Sequence, residues 1–110
     1  MNQKVKYKDI PEIKKKLLIE QKYLCPICTR DLRKLKPRDI CIDHNHKNGL
    51  IRSVLCRGCN SLEGKVYRNF VRVGHKNQGV DYVTFLTGLI IYTQHEETNM
   101  IHPKFKEKKK

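Results

Sequence analysis

The chain lacks tryptophan, long apolar runs and an excess of acidic residues. No stretch approaches the ~20 apolar residues of a bilayer-spanning helix, so we expect no membrane insertion. The amino terminus alternates lysines with other residues and has no apolar core, which predicts no signal peptide and a cytoplasmic location. Nor does a repeat or a linker rich in proline, glycine or serine divide the 110 residues, so we expect a single domain.

Positive charge dominates the composition. The chain has 24 Lys and Arg against 11 Asp and Glu, a formal charge of +13, which predicts a polyanionic partner. Lysines are concentrated near both ends, and residues 103–110 are expected to form a solvated basic tail. A domain of this size has a small hydrophobic core and often needs a metal ion for stability.

Apolar spacing and capping residues predict an α+β fold that is mostly helical. An amino-terminal helix is expected over 9–24, with Asp9 as its N-cap. Two short strands should then form a hairpin, because Asn48-Gly49 favours a two-residue turn with positive φ at both positions. A helix from Asn60 to about Val73 should follow, and a last helix is expected over 80–95.

Four of the five cysteines form two Cys-x-x-Cys pairs that are separated by 27 residues. Four thiolates provide a closed tetrahedral site, so we predict a structural zinc ion that brackets residues 25–76 into one core. Reduced buried cysteines or a redox pair are the alternative. Cys41 is left over and is expected to be a small buried strand residue. The predicted zinc ligands are Cys25, Cys28, Cys56 and Cys59.

A polar cluster lies between the two cysteine pairs. Asp43-His44-Asn45-His46 ends the first strand, and Asn60 directly follows the last cysteine. Zinc would bring these segments together, so Asp43 and Asn60 could offer hard oxygens to Mg²⁺. Neutral His44 could take a proton from water, although the strand must bend for His44 to face the same cleft as Asp43. Alternatively, the histidines and Asp43 are ordinary hairpin residues and Asn60 is a helix N-cap.

Several segments carry a family resemblance: Cys25-Pro-Ile-Cys28, Asp43-His-Asn-His46, Gly49-Leu-Ile-Arg52 and Leu55-Cys-Arg-Gly-Cys-Asn60. They resemble the phage endonuclease VII family, which resolves branched DNA and belongs to the HNH, or ββα-metal, nucleases. Gln78–Tyr82 and Ile101–Phe105 also look like the family's segments, so the likeness extends from about Tyr7 to Phe105. Asn45 stands where relatives often carry Asp, and the helical carboxy-terminal domain of longer members lies outside these 110 residues.

The resemblance implies a zinc-stapled ββα-metal core, with an intertwined homodimer and a host-cell cytoplasmic location for a phage-encoded protein. It also implies that Asp43 and Asn60 bind Mg²⁺ or Mn²⁺ and that His44 is the general base. His46 would lie beside the scissile phosphate. Glu63, one turn after Asn60, is a further candidate for the site.

The helix after the second cysteine pair has a basic face. Lys65, Arg68 and Arg72 fall at positions i, i+3 and i+7, which predicts phosphate contact beside the metal site. A solvated basic face is the alternative. Arg52 and Arg57 are further candidates for DNA contact. The adjacent apolar face is expected to pack on the hairpin and carries Leu62, Val66, Phe70 and Val73.

The last helix is apolar over more than one face, which predicts a helix-mediated homodimer. A single central core helix is the alternative. Taken together, the sequence predicts a Mg²⁺-dependent endonuclease that cuts phosphodiester bonds in branched DNA. The rival hypotheses are an HNH homing or nicking enzyme that acts on ordinary duplex and a non-catalytic zinc-knuckle DNA-binding protein.

Overall fold

The computed structural model describes residues 4–107 and confirms the α+β class. Three α-helices accompany one two-stranded antiparallel sheet in the described residues. Residues 108–110 of the predicted basic tail lie outside this range. The elements are α1 (Ile10–Glu20), β1 (Ile40–His44), β2 (Ile51–Cys56), α2 (Arg57–Arg72) and α3 (Tyr82–Thr93).

The chain divides into two compact units, the first ending at Asn69 and the second beginning at Phe70. The first unit contains α1, the hairpin and most of α2, and the second contains α3. Across residues 4–107, no helix combines the length and apolar character needed to cross a membrane.

The first helix starts as expected but ends at Glu20, before the predicted boundary. Pro11 occupies its first turn, where a missing N–H leaves no helical hydrogen bond unmade. Asp9 does not cap the helix through its side chain, contrary to the prediction, because it lies in a 3₁₀ turn with helical φ and ψ. Positive φ values of 54° at Lys22 and 62° at Tyr23 reverse the chain after α1.

The hairpin contains a register shift that the sequence did not predict. Asp43 of β1 is opposite Ser53 of β2, but the next residue, His44, is opposite Ile51. Arg52 is therefore an extra residue in β2, a β-bulge that increases the local twist and re-aims side chains.

The connection between the strands also differs from the predicted two-residue turn. The N–H of Asn45 donates to the carbonyl of Leu50 at 2.8 Å, which closes a longer loop. Gly49 has φ of 75°, but Asn48 does not share a positive φ. Instead, the Asn48 side chain accepts a hydrogen bond from the Leu50 N–H at 3.0 Å, and this local bond stabilises the wider loop.

The hydrophobic core of the first unit is small and contains two of the cysteines. Leu17, Leu18, Leu35, Ile40 and Ile42 pack around it while remaining partly exposed. Two of the predicted zinc ligands are thus part of the hydrophobic core. The buried residues are Cys25, Leu32, Val54, Leu55 and Cys56.

The second helix begins at Arg57, three residues earlier than predicted, so that Asn60 lies inside it. The expectation that its apolar face packs on the hairpin is wrong at Leu62, which is 62% exposed, and at Val66. The hairpin side of α2 instead carries the buried Gly64 and the polar Glu63, which bonds to hairpin residues. The helix therefore contacts the hairpin through polar groups.

The second unit has an aromatic core around Phe70, which is 4% exposed. Its ring lies 5.0 Å from that of Tyr82 and 5.3 Å from that of Phe85. Asp81 caps α3 as its side chain accepts a hydrogen bond from the Thr84 N–H at 3.1 Å. Several large apolar residues of α3 remain exposed: Val83, Leu89, Ile90, Ile91 and Tyr92.

Gln21 connects the end of α1 to β2 and provides a test of the fold. Its side-chain amide donates to the Val54 carbonyl at 2.7 Å and accepts from the Val54 N–H at 3.0 Å. Gln21→Ala removes both bonds to a fully buried residue, so the free energy of unfolding should fall by about 2 kcal/mol. Urea denaturation of the zinc-loaded protein at fixed zinc concentration measures this.

Gln78→Ala is the matched control, because Gln78 is exposed and its side chain makes no such strand contact. Its effect should stay within about 0.5 kcal/mol. Equal losses in the two variants would show that Gln21 does not connect α1 to the sheet.

Candidate functional site

The four predicted zinc ligands converge in the structure. The Sγ atoms of Cys25, Cys28, Cys56 and Cys59 all lie within 4.8 Å of one another. The Cys28 Sγ–Cys56 Sγ distance is 3.8 Å, the edge of a tetrahedron with zinc–sulfur bonds of about 2.3 Å. All five cysteines are free thiols. The donor set and its spacing therefore fit a zinc ion, and the cluster can bind one.

The two cysteine pairs are built differently. The first is a tight turn after α1, in which the Thr29 N–H donates to the Cys25 carbonyl at 2.8 Å. The second begins at the last residue of β2 and continues into the first turn of α2, where the Cys59 N–H donates to Cys56 Sγ at 3.4 Å. The cluster thus ties the end of α1 to the junction between the hairpin and α2. Cys41 lies elsewhere, half-buried on β1 opposite Leu55.

Arg30 contacts the sulfur cluster, which the sequence did not predict. Its Nη2 donates to Cys56 Sγ at 3.0 Å and its Nε to Cys28 Sγ at 3.3 Å. The hydrogen bonding of Arg30 to Cys28 lowers the pKa of Cys28 to about 6, whereas burial raises the pKa of Cys59 to about 12. With a Zn²⁺ bound, the guanidinium would offset the excess negative charge of four thiolates. In sequence, nothing distinguishes Arg30 from Arg33, which instead pairs with Asp31.

The predicted polar residues line one pocket of about 290 Å³ in the first unit. Asp43 and His44 come from the end of β1, His46 from the hairpin loop and Asn60 from α2. The β-bulge provides the bend that the sequence required, since the two neighbours on β1 line the same pocket. The other lining residues are Ile42, Ser61, Gly64 and Arg68.

Asn60 does not act as a helix N-cap. The helix begins at Arg57, so Asn60 follows the first turn, directly after a cysteine of the cluster. The alternative that assigned Asn60 to ordinary capping is therefore wrong. Asn60 instead lines the pocket.

Two carboxylates meet at the edge of this pocket. Asp43 is only 5% exposed, and its Oδ2 accepts a hydrogen bond from Arg52 Nε at 2.7 Å. Glu63 Oε1 accepts one from Arg52 Nη2 at 2.7 Å and lies 3.1 Å from His46 Nε2. The bond to Asp43 raises the pKa of Arg52.

A cation could be held where these groups meet, because Asp43, His46 and Glu63 place ligand atoms within 4.8 Å of one another. His46 is held in place by Glu63 and by a parallel stack on Tyr67, with ring centroids 5.6 Å apart and planes 8° apart. Glu63, which the sequence suggested only as a further site candidate, thus belongs to the same group of possible cation ligands as Asp43.

The candidate DNA-contact residues are placed in different ways. Arg68 lines the pocket, Lys65 is exposed one turn earlier on α2, and Arg72 is exposed in its last turn. Arg57 is exposed near Asp39, with a closest N–O distance of 3.9 Å. Arg52 instead directs its guanidinium at the two carboxylates.

The sequence model of the recombination endonuclease VII family matches residues 1–95. These residues include both cysteine pairs and the whole pocket, whereas Ile101–Phe105 lies outside the match. Membership of this family implies a nuclease that acts on DNA. The chain belongs to the recombination endonuclease VII family, which confirms the resemblance seen in its motifs.

Replacing one cysteine of the four-cysteine cluster tests whether the cluster binds a structural zinc ion. Cys56→Ser should abolish zinc binding and unfold the first unit, because a structural zinc ion contributes its binding free energy to folding. Zinc per chain by elemental analysis and circular dichroism of the purified protein measure both effects.

Cys41→Ser removes a thiol outside the cluster and should keep one zinc per chain. A folded, zinc-free Cys56→Ser protein would contradict the structural role of the metal.

Proposed function

We propose that this protein is a Mg²⁺-dependent endonuclease that hydrolyses phosphodiester bonds in branched DNA. The observation that carries the proposal is the convergence of Asp43, His44 and Asn60 in one pocket beside the four-cysteine cluster. Membership of the recombination endonuclease VII family supports the substrate class. The chain order of hairpin then helix is that expected of a ββα-metal core.

The donor chemistry of the pocket suits a hard cation. Asp43 and Asn60 offer a carboxylate and an amide oxygen, which are preferred ligands of Mg²⁺ and Mn²⁺. Glu63 and His46 lie close enough to Asp43 to complete or replace part of this set. Bound there, the cation would stabilise the negative charge that develops during phosphodiester hydrolysis.

His44 is the proposed general base. Its imidazole lines the pocket and is exposed to solvent, so water can reach it. A neutral imidazole accepts a proton from water near physiological pH, which gives the attacking oxygen more nucleophilic character. His46, held by Glu63 and Tyr67, would lie beside the scissile phosphate.

Phosphate contacts are assigned to the basic side chains near the pocket. Arg68 reaches the pocket itself, and Lys65 and Arg72 extend the same face of α2. Arg57 lies at the start of that helix. Contacts of this kind orient the DNA backbone without reading bases, which suits an enzyme that recognises a branched shape.

A homodimer is the proposed assembly, and α3 is its proposed interface. Val83, Ile90 and Ile91 are each more than 60% exposed and project from one side of that helix. Apolar surface of this kind is typical of protein interfaces. Two copies related by a two-fold axis would provide two sites, one for each strand of a branched substrate.

Cleavage of a cruciform and of a linear duplex by the zinc-loaded protein, each with and without added Mg²⁺, tests the activity. We expect Mg²⁺-dependent cutting of the cruciform and little cutting of the linear DNA. Equal cutting of the linear duplex would instead favour a homing or nicking enzyme. Binding without any cutting would favour a non-catalytic DNA-binding protein.

His44→Ala should lower the cleavage rate by about 10³-fold, because the variant has no group to accept the proton of the attacking water. Zinc content and DNA affinity should remain close to those of the parent, since His44 is neither a cysteine of the cluster nor one of the basic side chains of α2. Single-turnover cleavage at saturating DNA measures the rate.

His95→Ala removes an exposed histidine outside the pocket and is the matched control. If His44→Ala cuts at the parental rate, the assignment of the base is wrong.

Ile91→Asp should convert the dimer to a monomer, because it places a charge in the proposed apolar interface. Light scattering after size-exclusion chromatography measures the mass. Thr98→Asp adds the same charge beyond α3 and should leave the dimer intact. A parent that is monomeric at micromolar concentration would contradict the proposed assembly.

A further inference from the structure

We infer that Arg52 is a positioning residue that fixes both carboxylates of the site, an inference that rests on the proposed function. The sequence placed Arg52 among candidate DNA contacts. In the structure, however, its donors point to Asp43 and Glu63.

One guanidinium spans two elements of the fold. Its Nε bonds to Asp43 on β1 and its Nη2 bonds to Glu63 on α2, each at 2.7 Å. The donors of arginine form a rigid planar fork, so one side chain can hold two acceptors at a set separation. Arg52 therefore fixes the hairpin carboxylate relative to the helical one.

The β-bulge explains how Arg52 reaches Asp43. Asp43 and Ser53 are cross-strand partners, so their side chains share a face of the sheet. In an unbroken strand, Arg52 would project from the opposite face, because successive side chains alternate. As the extra residue of the bulge, Arg52 is released from that alternation and lies on the Asp43 side.

The hydrogen bond from Arg52 matters because Asp43 is buried. Its side chain is 6% exposed, and a buried carboxylate requires a charged or hydrogen-bonding partner. Arg52 bonds to Oδ2, and the second oxygen of a carboxylate can then bind a cation. Hydrogen bonds of this kind orient metal-binding carboxylates and commonly change metal affinity by about 10- to 100-fold when removed.

Arg52→Gln and Arg52→Lys test the inference. Lysine keeps the charge but loses the fork, so both variants should bind Mn²⁺ at least about tenfold more weakly than the parent. Electron paramagnetic resonance of free Mn²⁺, added to zinc-loaded protein without DNA, measures this affinity. Single-turnover cleavage at saturating DNA should fall by about 100-fold in both variants.

Arg38→Gln is the matched control, since it removes one positive charge from an exposed residue outside the pocket. Its Mn²⁺ affinity and cleavage rate should equal those of the parent. Zinc content and melting temperature, measured for every variant, show that the first unit remains folded.

DNA affinity of the zinc-loaded protein without added divalent cation, over a range of salt concentrations, separates positioning from phosphate contact. A positioning role predicts an unchanged salt slope for Arg52→Gln. A salt slope lower by about 0.9, with the parental cleavage rate at saturation, would make Arg52 a phosphate contact and overturn the inference. Parental or tighter Mn²⁺ binding by Arg52→Gln would also overturn it.

If the parent binds Mn²⁺ but cuts no DNA, the proposed function fails, and the Mn²⁺ affinities alone decide the role of Arg52.

Discussion

The convergence of four cysteine sulfurs is the constraint on which the rest of the first unit depends. Cys25 and Cys56 are buried among Val54 and Leu55, so the metal cluster and the hydrophobic core occupy the same space. A core this small provides limited stability without a metal ion. Because the second cysteine pair spans the junction of β2 and α2, closing the cluster also fixes the direction in which α2 leaves the hairpin. That direction places Asn60 at the pocket reached by Asp43.

Positive and negative charges are distributed differently in this chain. The chain as a whole is strongly basic, which favours a polyanion, yet two of its few acidic residues meet at the pocket. Asp43 and Glu63 bring their carboxylates within 4.8 Å of each other in a chain that is otherwise strongly basic. Arg52 neutralises part of that acidic charge, as Arg30 does at the sulfur cluster. In both places an arginine fork joins groups from separate segments of the chain.

Local signals predicted the elements well and their contacts poorly. The last helix lies within the predicted range, and Asp81 caps it through a local contact with a residue three positions on. The predicted two-residue turn at Asn48-Gly49 was wrong, because the Asn48 side chain accepts a hydrogen bond from the Leu50 N–H and this bond favours a wider loop. The prediction that the apolar face of α2 packs on the hairpin was also wrong, because Leu62 is exposed while polar groups face the hairpin. Helical spacing identifies a face but not the partner against which that face packs.

By itself, the sequence predicted the four cysteines that converge, the order of the helices and strands, and the polar residues Asp43, His44, His46 and Asn60 that line the pocket. These features can be read from residues close together in the sequence, namely the two equally spaced cysteine pairs and the short polar motifs. Only the tertiary structure decided the β-bulge and the partners of Arg52 and Glu63. A register shift depends on the pairing of two strands, and an ion pair depends on which side chains the folded backbone brings together. Neither can be read from neighbouring residues along the chain.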